Sequence, residues 1–209
     1  EMLRSLVGSE MCIRDRIASA LKCRKEAPNL RRRKRTVNIV TVPDPLLRQI
    51  SEPAEVGDKS LKKLAKDMAK TMYKTDGVGI AAVQVGVLKR LIVIDCDVES
   101  RRRRPIVLVN PEILKTDGPE LTEREGCLSV PGITVPITRP AFAQVQYYDL
   151  DGNQQIIEGD GLLGRCLQHE IDHLNGRTLF ESADPMDRME AIRLYKIAQA
   201  AGARPGETE

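Results

Sequence analysis

The segment from Gly161 to Leu174 holds both histidines of the 209-residue chain and constrains the fold more than any other stretch. His169 and His173 are four positions apart, and Glu170 directly follows the first of them. Helical spacing gives the segment one apolar side, and these three ionisable residues lie within or at the border of that side. The apolar side comprises Leu162, Leu163, Cys166, Leu167, Ile171 and Leu174, and the residues predicted to point away from it are Arg165, Gln168 and Asp172.

Ionisable groups that face a core need a compensating partner, because burial of an unpaired carboxylate costs several kcal/mol. Histidines at positions i and i+4 of a helix can bind one metal ion at about 2.0 to 2.1 Å, and the intervening glutamate can reach a water on that metal. The alternative is a histidine pair satisfied by hydrogen bonds alone. The adjacent Glu170 and the inward face favour the metal site.

A catalytic metal usually takes three protein ligands and leaves one position for water, so a third ligand is needed. Cys166 lies seven residues from His173, about 10.5 Å along the helix axis, which is too far for both to join His169 at one ion. Cys127, in the turn-rich segment REGCLSVPG, is the best candidate, whereas Cys96 ends an apolar strand and is interpreted as a core residue. A thiolate ligand favours iron, zinc or cobalt over magnesium or calcium.

The remaining pattern indicates an α+β protein rather than alternating βαβ units. We expect an N-terminal amphipathic helix capped by Ser60 and stopped at Asp76 and Gly77, followed by a loop over residues 76–86. A C-terminal helix is expected over residues 185–201. The predicted strands cover residues 90–96, 105–110, 112–116, 143–149 and 154–158, of which the last two form a hairpin. The metal-binding helix would be central.

Charge separates the first residues from the rest of the chain. Residues 1–36 contain 11 Lys or Arg against 4 Asp or Glu, a net charge of +7, so the other 173 residues carry −4. We interpret residues 1–35 as a non-native or disordered basic arm, since the back-translation of residues 5–16 resembles a transposase sequencing adapter. An organellar transit peptide is the alternative. The catalytic domain would then span residues 36–202, and residues 203–209 would form a flexible tail.

Composition also limits the partners and the compartment. The basic run RRRKR has no interleaved aromatic residues to stack on bases, so no specific nucleic acid is expected. No apolar run approaches the length of about 20 residues that a membrane span needs. Five cysteines, an odd number at irregular spacing, favour reduced thiols or metal ligands over disulfides and thus a reducing compartment.

Three blocks stand in a fixed order: GVGIAAVQ at residues 77–84, EGCLS at 125–129 and QHEIDH at 168–173. Together they resemble the three signature motifs of bacterial-type peptide deformylases, and the similarity extends over about residues 36–200, including VPDPLLR near the start. The resemblance implies a metal-dependent hydrolase that removes the formyl group from the N-terminal formyl-methionine of nascent polypeptides and releases formate. It also implies that the metal-binding helix packs against antiparallel sheets and that the enzyme is cytoplasmic, although an organellar location stays open. A transient ribosome contact is a further expectation from the family, but the C-terminal segment over residues 184–209 lacks the strongly basic helix with which some relatives dock on the ribosome.

The resemblance assigns the metal centre residue by residue. Cys127, His169 and His173 would bind one divalent metal per chain, usually Fe²⁺ in the family, with Zn²⁺, Ni²⁺ or Co²⁺ as substitutes. Glu170 would act as the general base and then the general acid, which agrees with the chemistry of water at a metal.

The resemblance also assigns the residues around the metal centre. The Gln84 side-chain amide and the Leu128 backbone N–H are implied to stabilise the negative charge that develops on the formyl oxygen, the oxyanion. The residues implied to bind substrate are Gly79, Leu162 and Cys166. Glu125 and Arg139 are implied to support the metal ligands. Thr134 departs from the family, because some members have an arginine or tyrosine near this position to contact the peptide.

Two other functions fit parts of the pattern. A zinc peptidase would also use H-E-x-x-H, and a non-catalytic binding module would use a metal to hold its structure. Cys127 and the GVGIAAVQ block argue against the peptidase. The binding module would need a closed site with four ligands and would leave Glu170 without a purpose.

Overall fold

The apolar block LIVI forms one strand of a five-stranded antiparallel sheet. In the computed structural model, which describes residues 37–100 and 102–207, the strands are β1 (Gly79–Ala81), β2 (Leu91–Ile94), β3 (Ile106–Cys127), β4 (Val130–Tyr148) and β5 (Gln154–Gly159), hydrogen-bonded in that order. Every side chain of β2 is at most 1% exposed. Since successive side chains of a strand point to opposite faces, this part of the sheet must be covered on both sides.

Helices provide that cover. The helices of the described residues are α1 (Lys59–Lys74), α2 (Gly161–Leu174), the single-turn α3 (Leu179–Ser182) and α4 (Pro185–Ala200). Leu91 and Val93 pack in one hydrophobic cluster with residues of α1, and Ile92 and Ile94 pack in a second cluster with residues of α2. A third cluster joins β4 to α4 through Tyr195. The predicted α+β class is confirmed, and all three long helices lie where the sequence placed them.

The hairpin of β3 and β4 is much longer than the separate strands predicted from the sequence. Its pairing register shifts at several points, two of which span Pro111 and Pro119. Proline lacks the N–H that a ladder needs and is tolerated at such irregularities. Much of β3 is exposed, so it lacks the buried alternation by which strands are recognised in a sequence. The hairpin ends in a two-residue turn, Leu128 and Ser129, directly after Cys127.

Two local predictions were wrong. Asp58, rather than Ser60, caps α1, because its Oδ1 accepts a hydrogen bond from the Ser60 backbone N–H at 2.7 Å. The predicted loop over residues 76–86 contains β1 and a 3₁₀ turn, Ala82–Val85, because edge pairing with β2 overrides the high glycine content.

The ends of the chain were also subject to predictions. Those for residues 1–35, including the adapter-like residues 5–16, lie outside the described residues. Residues 203–207, expected in a flexible tail, fold back on the domain, and the Gly132 N–H donates to the Glu207 carbonyl at 2.7 Å. None of the helices in the described part of the chain combines the length and hydrophobicity that a membrane crossing requires.

Gly176, just after α2, provides a test of how tightly this helix end is packed. Its φ is +72°, and a Cβ there would lie 2.5 Å from the Arg48 carbonyl oxygen. Gly86 has a similar φ of +84° but no atom within 4 Å of its ideal Cβ. We expect Gly86→Ala to lower the free energy of unfolding by about 1 to 2 kcal/mol from backbone strain, and Gly176→Ala to lower it further because of the clash. Urea unfolding of both variants measures this, and equal losses would contradict it.

Candidate metal centre

Three potential metal ligands converge from two elements. Cys127 ends β3, and His169 and His173 lie one turn apart on α2. One ligand atom from each of the three lies within 4.8 Å of the other two, and Cys127 Sγ is 3.1 Å from His173 Nε2. Ligands bound tetrahedrally at about 2.0 to 2.3 Å from one ion are roughly 3.5 Å apart. The cluster therefore has the size and the donor atoms for a single metal ion.

Burial and the two histidines determine the state of the Cys127 thiol. Burial opposes its ionisation, but His173 and His169 outweigh that effect and lower the Cys127 pKa to about 5. The pKa of His169 is raised well above its ordinary value, because contacts with Cys127 and Glu125 outweigh its burial. Thiolate is the form of cysteine that binds metals, and a cation at this point would displace the histidine proton.

Glu125 orients the first histidine. Its Oε2 is 2.8 Å from His169 Nδ1, which leaves Nε2 of that ring for a metal. Arg139 forms a bidentate pair with the same carboxylate at 2.7 and 3.1 Å, and Arg165 Nη1 donates to its Oε1 at 2.7 Å. Burial opposes the ionised form, yet hydrogen bonds from His169 and Arg139 hold the Glu125 pKa well below its ordinary range. The structure thus contains the Glu125–Arg139 pair that the sequence suggested.

The outer side of α2 is less exposed than the sequence predicted. Gln168 was expected to point away from the core but is 5% exposed, and its amide donates to the carbonyls of Pro140 and Gly164, both at 3.0 Å. A Cβ on Gly164 would lie 2.5 Å from the Gly159 carbonyl oxygen, so the absent side chain allows the helix to approach the sheet closely. Strands therefore contact α2 on two sides, which a single apolar stripe does not reveal.

Two charged residues of α2 that were also expected to point away are part of the polar network. Arg165 joins Glu125, as described above, and Asp172 accepts hydrogen bonds from Arg139 Nη1 and Ser182 Oγ, both at 2.9 Å. Sequence reasoning missed these contacts. The signal that could have revealed Arg165 is its spacing of four residues before His169, which places both on adjacent turns of one face.

Glu170 is almost completely buried and lies beside the ligands. Burial raises its pKa, and the two histidines partly oppose that rise. No hydrogen-bond partner for its Oε2 lies among the residues that the structure describes. Gly79 makes room for it, because a Cβ there would lie 2.4 Å from Glu170 Oε1 and 2.8 Å from Cys166 Sγ. A buried carboxylate oxygen with no protein partner, next to two histidines and a thiolate, fits a metal centre that works on water.

Gln84 lies beside the Cys127 thiol. It is 1% exposed, and its Oε1 accepts from the Ala81 N–H at 2.8 Å, which fixes the orientation of the amide. Its Nε2 is 3.6 Å from Cys127 Sγ and 3.2 Å from Ser129 Oγ. The Gln84 side-chain amide thus directs an N–H group at the Cys127 sulfur, and Ser129 is a contact that sequence reasoning missed.

A cavity of about 380 Å³ opens onto these groups. All three residues that the sequence assigned to substrate lie along it, namely Gly79, Leu162 and Cys166, and Leu128 lies there as well. Leu162 is 44% exposed and borders the opening rather than the core. The cavity therefore has an apolar wall close to the ligands and Glu170.

Cys96, interpreted as a core residue, is only partly buried, and its contact with the Cys166 thiol helps to raise the Cys166 pKa.

Comparison with known proteins identifies close relatives. A family model described as polypeptide deformylase matches residues 36–189. The peptide deformylase of Rhizobium meliloti (strain 1021) is 42% identical over 167 residues, which cover 79% of this chain and 96% of that protein. A crystal structure of a peptide deformylase from Legionella pneumophila has a TM-score of 0.73 at 43% identity and covers 82% of this chain and 100% of that chain. A peptide deformylase from Synechococcus elongatus in complex with actinonin has a TM-score of 0.72 at 36% identity, covering 81% and 92%.

The arginine that holds Glu125 should contribute strongly to stability. Arg139→Met leaves the buried carboxylate with fewer cationic partners, and we expect a loss of about 3 kcal/mol in the free energy of unfolding near pH 7. Arg193→Met is the matched control, since Arg193 pairs with Glu190 on the exposed face of α4 and its loss should cost much less stability. Equal losses in the two variants would contradict the role of the buried pair.

The loss of stability in Arg139→Met should depend on pH, because the Glu125 pKa is lowered in the folded protein. Because its folded-state pKa lies below the ordinary value of 4.5, its stabilisation is present above pH 4.5 and is lost as the pH falls further. The difference between wild type and Arg139→Met should therefore shrink on the acid side, as measured by urea unfolding at several pH values.

Proposed function

The chain belongs to the polypeptide deformylase family, and on that premise we propose that Cys127, His169 and His173 bind one divalent metal ion beside which Glu170 transfers the proton. The protein is a metal-dependent hydrolase that removes the formyl group from the N-terminal formyl-methionine of nascent polypeptides and releases formate. Neither the zinc peptidase nor the binding module agrees with this family membership. The single observation that carries the site assignment is the convergence of the three ligand atoms next to the buried, unpartnered Glu170 oxygen.

The position of Glu170 and the direction of its pKa shift support a role in proton transfer. The bound ion would supply a Lewis acid that makes water acidic enough to ionise near neutral pH. Glu170 takes the proton of the attacking water and delivers it to the amine that leaves. Its buried position raises its pKa, which brings the carboxylate closer to the pH at which it must both accept and release a proton.

Gln84 and Leu128 would stabilise the charge that develops on the formyl oxygen during attack. The Gln84 amide is held by the Ala81 N–H and directs its own N–H group towards the ligands, so its dipole needs no reorientation during the reaction. The backbone N–H of Leu128, in the turn after Cys127, is the second donor that we propose. Cys166 and Leu162 would contact the methionine side chain in the cavity. Gly79 would let the substrate backbone approach, and its missing side chain leaves room for Glu170.

The role of Glu170 is tested by formate release from formyl-Met-Ala-Ser. We expect Glu170→Gln to retain its metal and to lose about 10²- to 10⁴-fold in kcat, the range of general acid–base catalysis. Gln84→Ala should retain its metal and lose about 10² to 10³-fold. Glu190→Gln, on the exposed face of α4, is the control. A Glu170→Gln enzyme with full metal and wild-type turnover would refute the proton-transfer role, and a wild type with full metal but no formate release would refute deformylation itself.

We propose Fe²⁺ as the metal, with Zn²⁺, Ni²⁺ and Co²⁺ as substitutes at the same ligands. One thiolate and two imidazoles form a donor set that suits these ions and disfavours magnesium and calcium. Protein purified without oxygen should contain about one iron per chain, and Cys127→Ala and His173→Ala should contain little. Metal analysis of the three proteins measures this, and an anaerobic wild type that holds zinc and no iron would overturn the choice of ion.

The transient ribosome contact and the cytoplasmic location remain predictions from the family resemblance, with an organellar location as the alternative. A nascent chain still carries its N-terminal formyl group while it is attached to the ribosome, so an enzyme that removes this group would benefit from such a contact. Co-sedimentation of the protein with ribosomes at low salt would measure it, and absence of the protein from the ribosome pellet would contradict it.

A further inference from the structure

Arg124 is an ordered cation at the cavity that the proposed reaction does not use. It lies on β3 three residues before Cys127, and its side chain is exposed. Its Nε donates to Thr134 Oγ1 at 2.7 Å, and its Nη2 donates to the Thr134 carbonyl at 2.9 Å. Both residues line the cavity that contains Glu170. Two hydrogen bonds from one planar group to one residue fix the direction of the guanidinium at low further cost in side-chain entropy.

The charge of Arg124 has no acidic partner in the part of the chain that the structure describes. Within the described residues 37–100 and 102–207, no carboxylate oxygen lies within 4.0 Å of its nitrogens. The two other arginines of this region differ, since both Arg139 and Arg165 pair with Glu125. Thr134 supplies only neutral acceptors, so the guanidinium keeps its full charge and further N–H donors. Asp76 is the carboxylate that lines the same cavity without being part of the Glu125 network or the metal centre.

The position of the guanidinium relative to the metal centre follows from the strand register. Thr134 is paired with Gly126, one residue before Cys127, and Arg124 projects from the same face as Gly126 because side chains alternate. Since Arg124 bends towards Thr134, its charged end lies near the level of Gly126. An extended peptide advances about 3.3 Å per residue. A substrate peptide that extends from the metal centre along this cavity would therefore pass Arg124 within one or two residues after the formyl-methionine.

We propose that Arg124 determines substrate specificity by favouring an acidic side chain at the second or third residue of the formylated peptide. This inference rests on the proposed function, because it concerns the chain that follows the formyl-methionine. An exposed ion pair contributes modestly, so the effect is a preference among substrates rather than a requirement. Thr134 acts as the positioning residue that holds the guanidinium over the cavity.

The test compares substrates that differ only in charge. Formyl-Met-Ala-Ser is the parent, and Asp or Lys replaces either Ala or Ser, which gives four charged peptides. For wild type we expect kcat/KM to favour Asp over Lys by about fivefold at one or both positions at low salt. Arg124→Gln should reduce this ratio to about one, and Arg124→Glu should invert it. The preference should appear in KM rather than kcat, because Arg124 does not touch the reacting atoms.

Two controls separate this effect from general electrostatics. Arg193→Gln removes an equal charge on α4, where Arg193 pairs with Glu190, and should keep the wild-type ratio. Thr134→Val keeps the Arg124 charge but removes the Oγ1, one of the two Thr134 acceptors that hold the guanidinium, and should weaken the ratio without inverting it. In 1 M KCl, where the Debye length is about 3 Å, the wild-type ratio should fall below about twofold.

The outcomes are distinguishable from failure of the proposed function. Turnover of formyl-Met-Ala-Ser by wild type tests deformylation and does not depend on Arg124. If wild type turns over the parent but treats Asp and Lys peptides alike, the inference is wrong while the proposed function stands. A ratio that persists in Arg124→Gln would place the source of the preference elsewhere and would also overturn the inference. Inversion by Arg124→Glu, with circular dichroism showing an intact fold, would support it.

Discussion

Burial of charged groups between α2 and the sheet is the constraint on which the rest of the structure depends. Glu125, Arg139 and Glu170 are each less than 10% exposed, and burial of a charge without a partner costs several kcal/mol. Arg139 satisfies two carboxylates at once, Glu125 and Asp172. The same network reaches His169 through Glu125, so the packing of α2 on the sheet and the orientation of a metal ligand have one physical origin.

The two buried glutamates near the ligands differ because their partners differ. Glu125 has two arginines and a histidine around it, and its pKa is held low, which keeps it charged as an anchor. Glu170 lacks a partner for one oxygen among the described residues, and burial raises its pKa. Pairs of titratable groups whose pKa values are shifted in opposite directions mark a division of tasks in an active site. Here Glu125 fixes the orientation of His169, and we propose that Glu170 accepts a proton.

Local periodicity explains which features the sequence predicted well. The helical pattern of residues 161–174 and its glycine boundary gave the bounds of α2, and spacing alone brought His169 and His173 together. Cys127 required an argument from elimination and from the motif, because its approach to α2 depends on the long β3–β4 hairpin. That hairpin is largely exposed and carries register shifts, so its length is not encoded in an alternating pattern.

The features that the sequence did not predict depend on packing from a second side. A helical wheel assumes one buried face, whereas α2 contacts strands on two sides, so Gln168, Arg165 and Asp172 were assigned to solvent. The cause is the close approach of α2 to the sheet at Gly164, which a single glycine in a helical pattern does not predict. The contact of Arg124 with Thr134 depends on a diagonal pair across two strands, which requires the register to be known.

The restriction of histidine to two positions gives the protein a built-in spectroscopic reporter. With no other imidazole anywhere in the chain, every histidine ring signal in a proton NMR spectrum belongs to the metal centre. The absence of tryptophan and the presence of only six Tyr and Phe residues keep the aromatic region uncrowded. Occupancy, ligand exchange and inhibitor binding could therefore be followed on the untagged protein in solution without any isotope label or engineered probe.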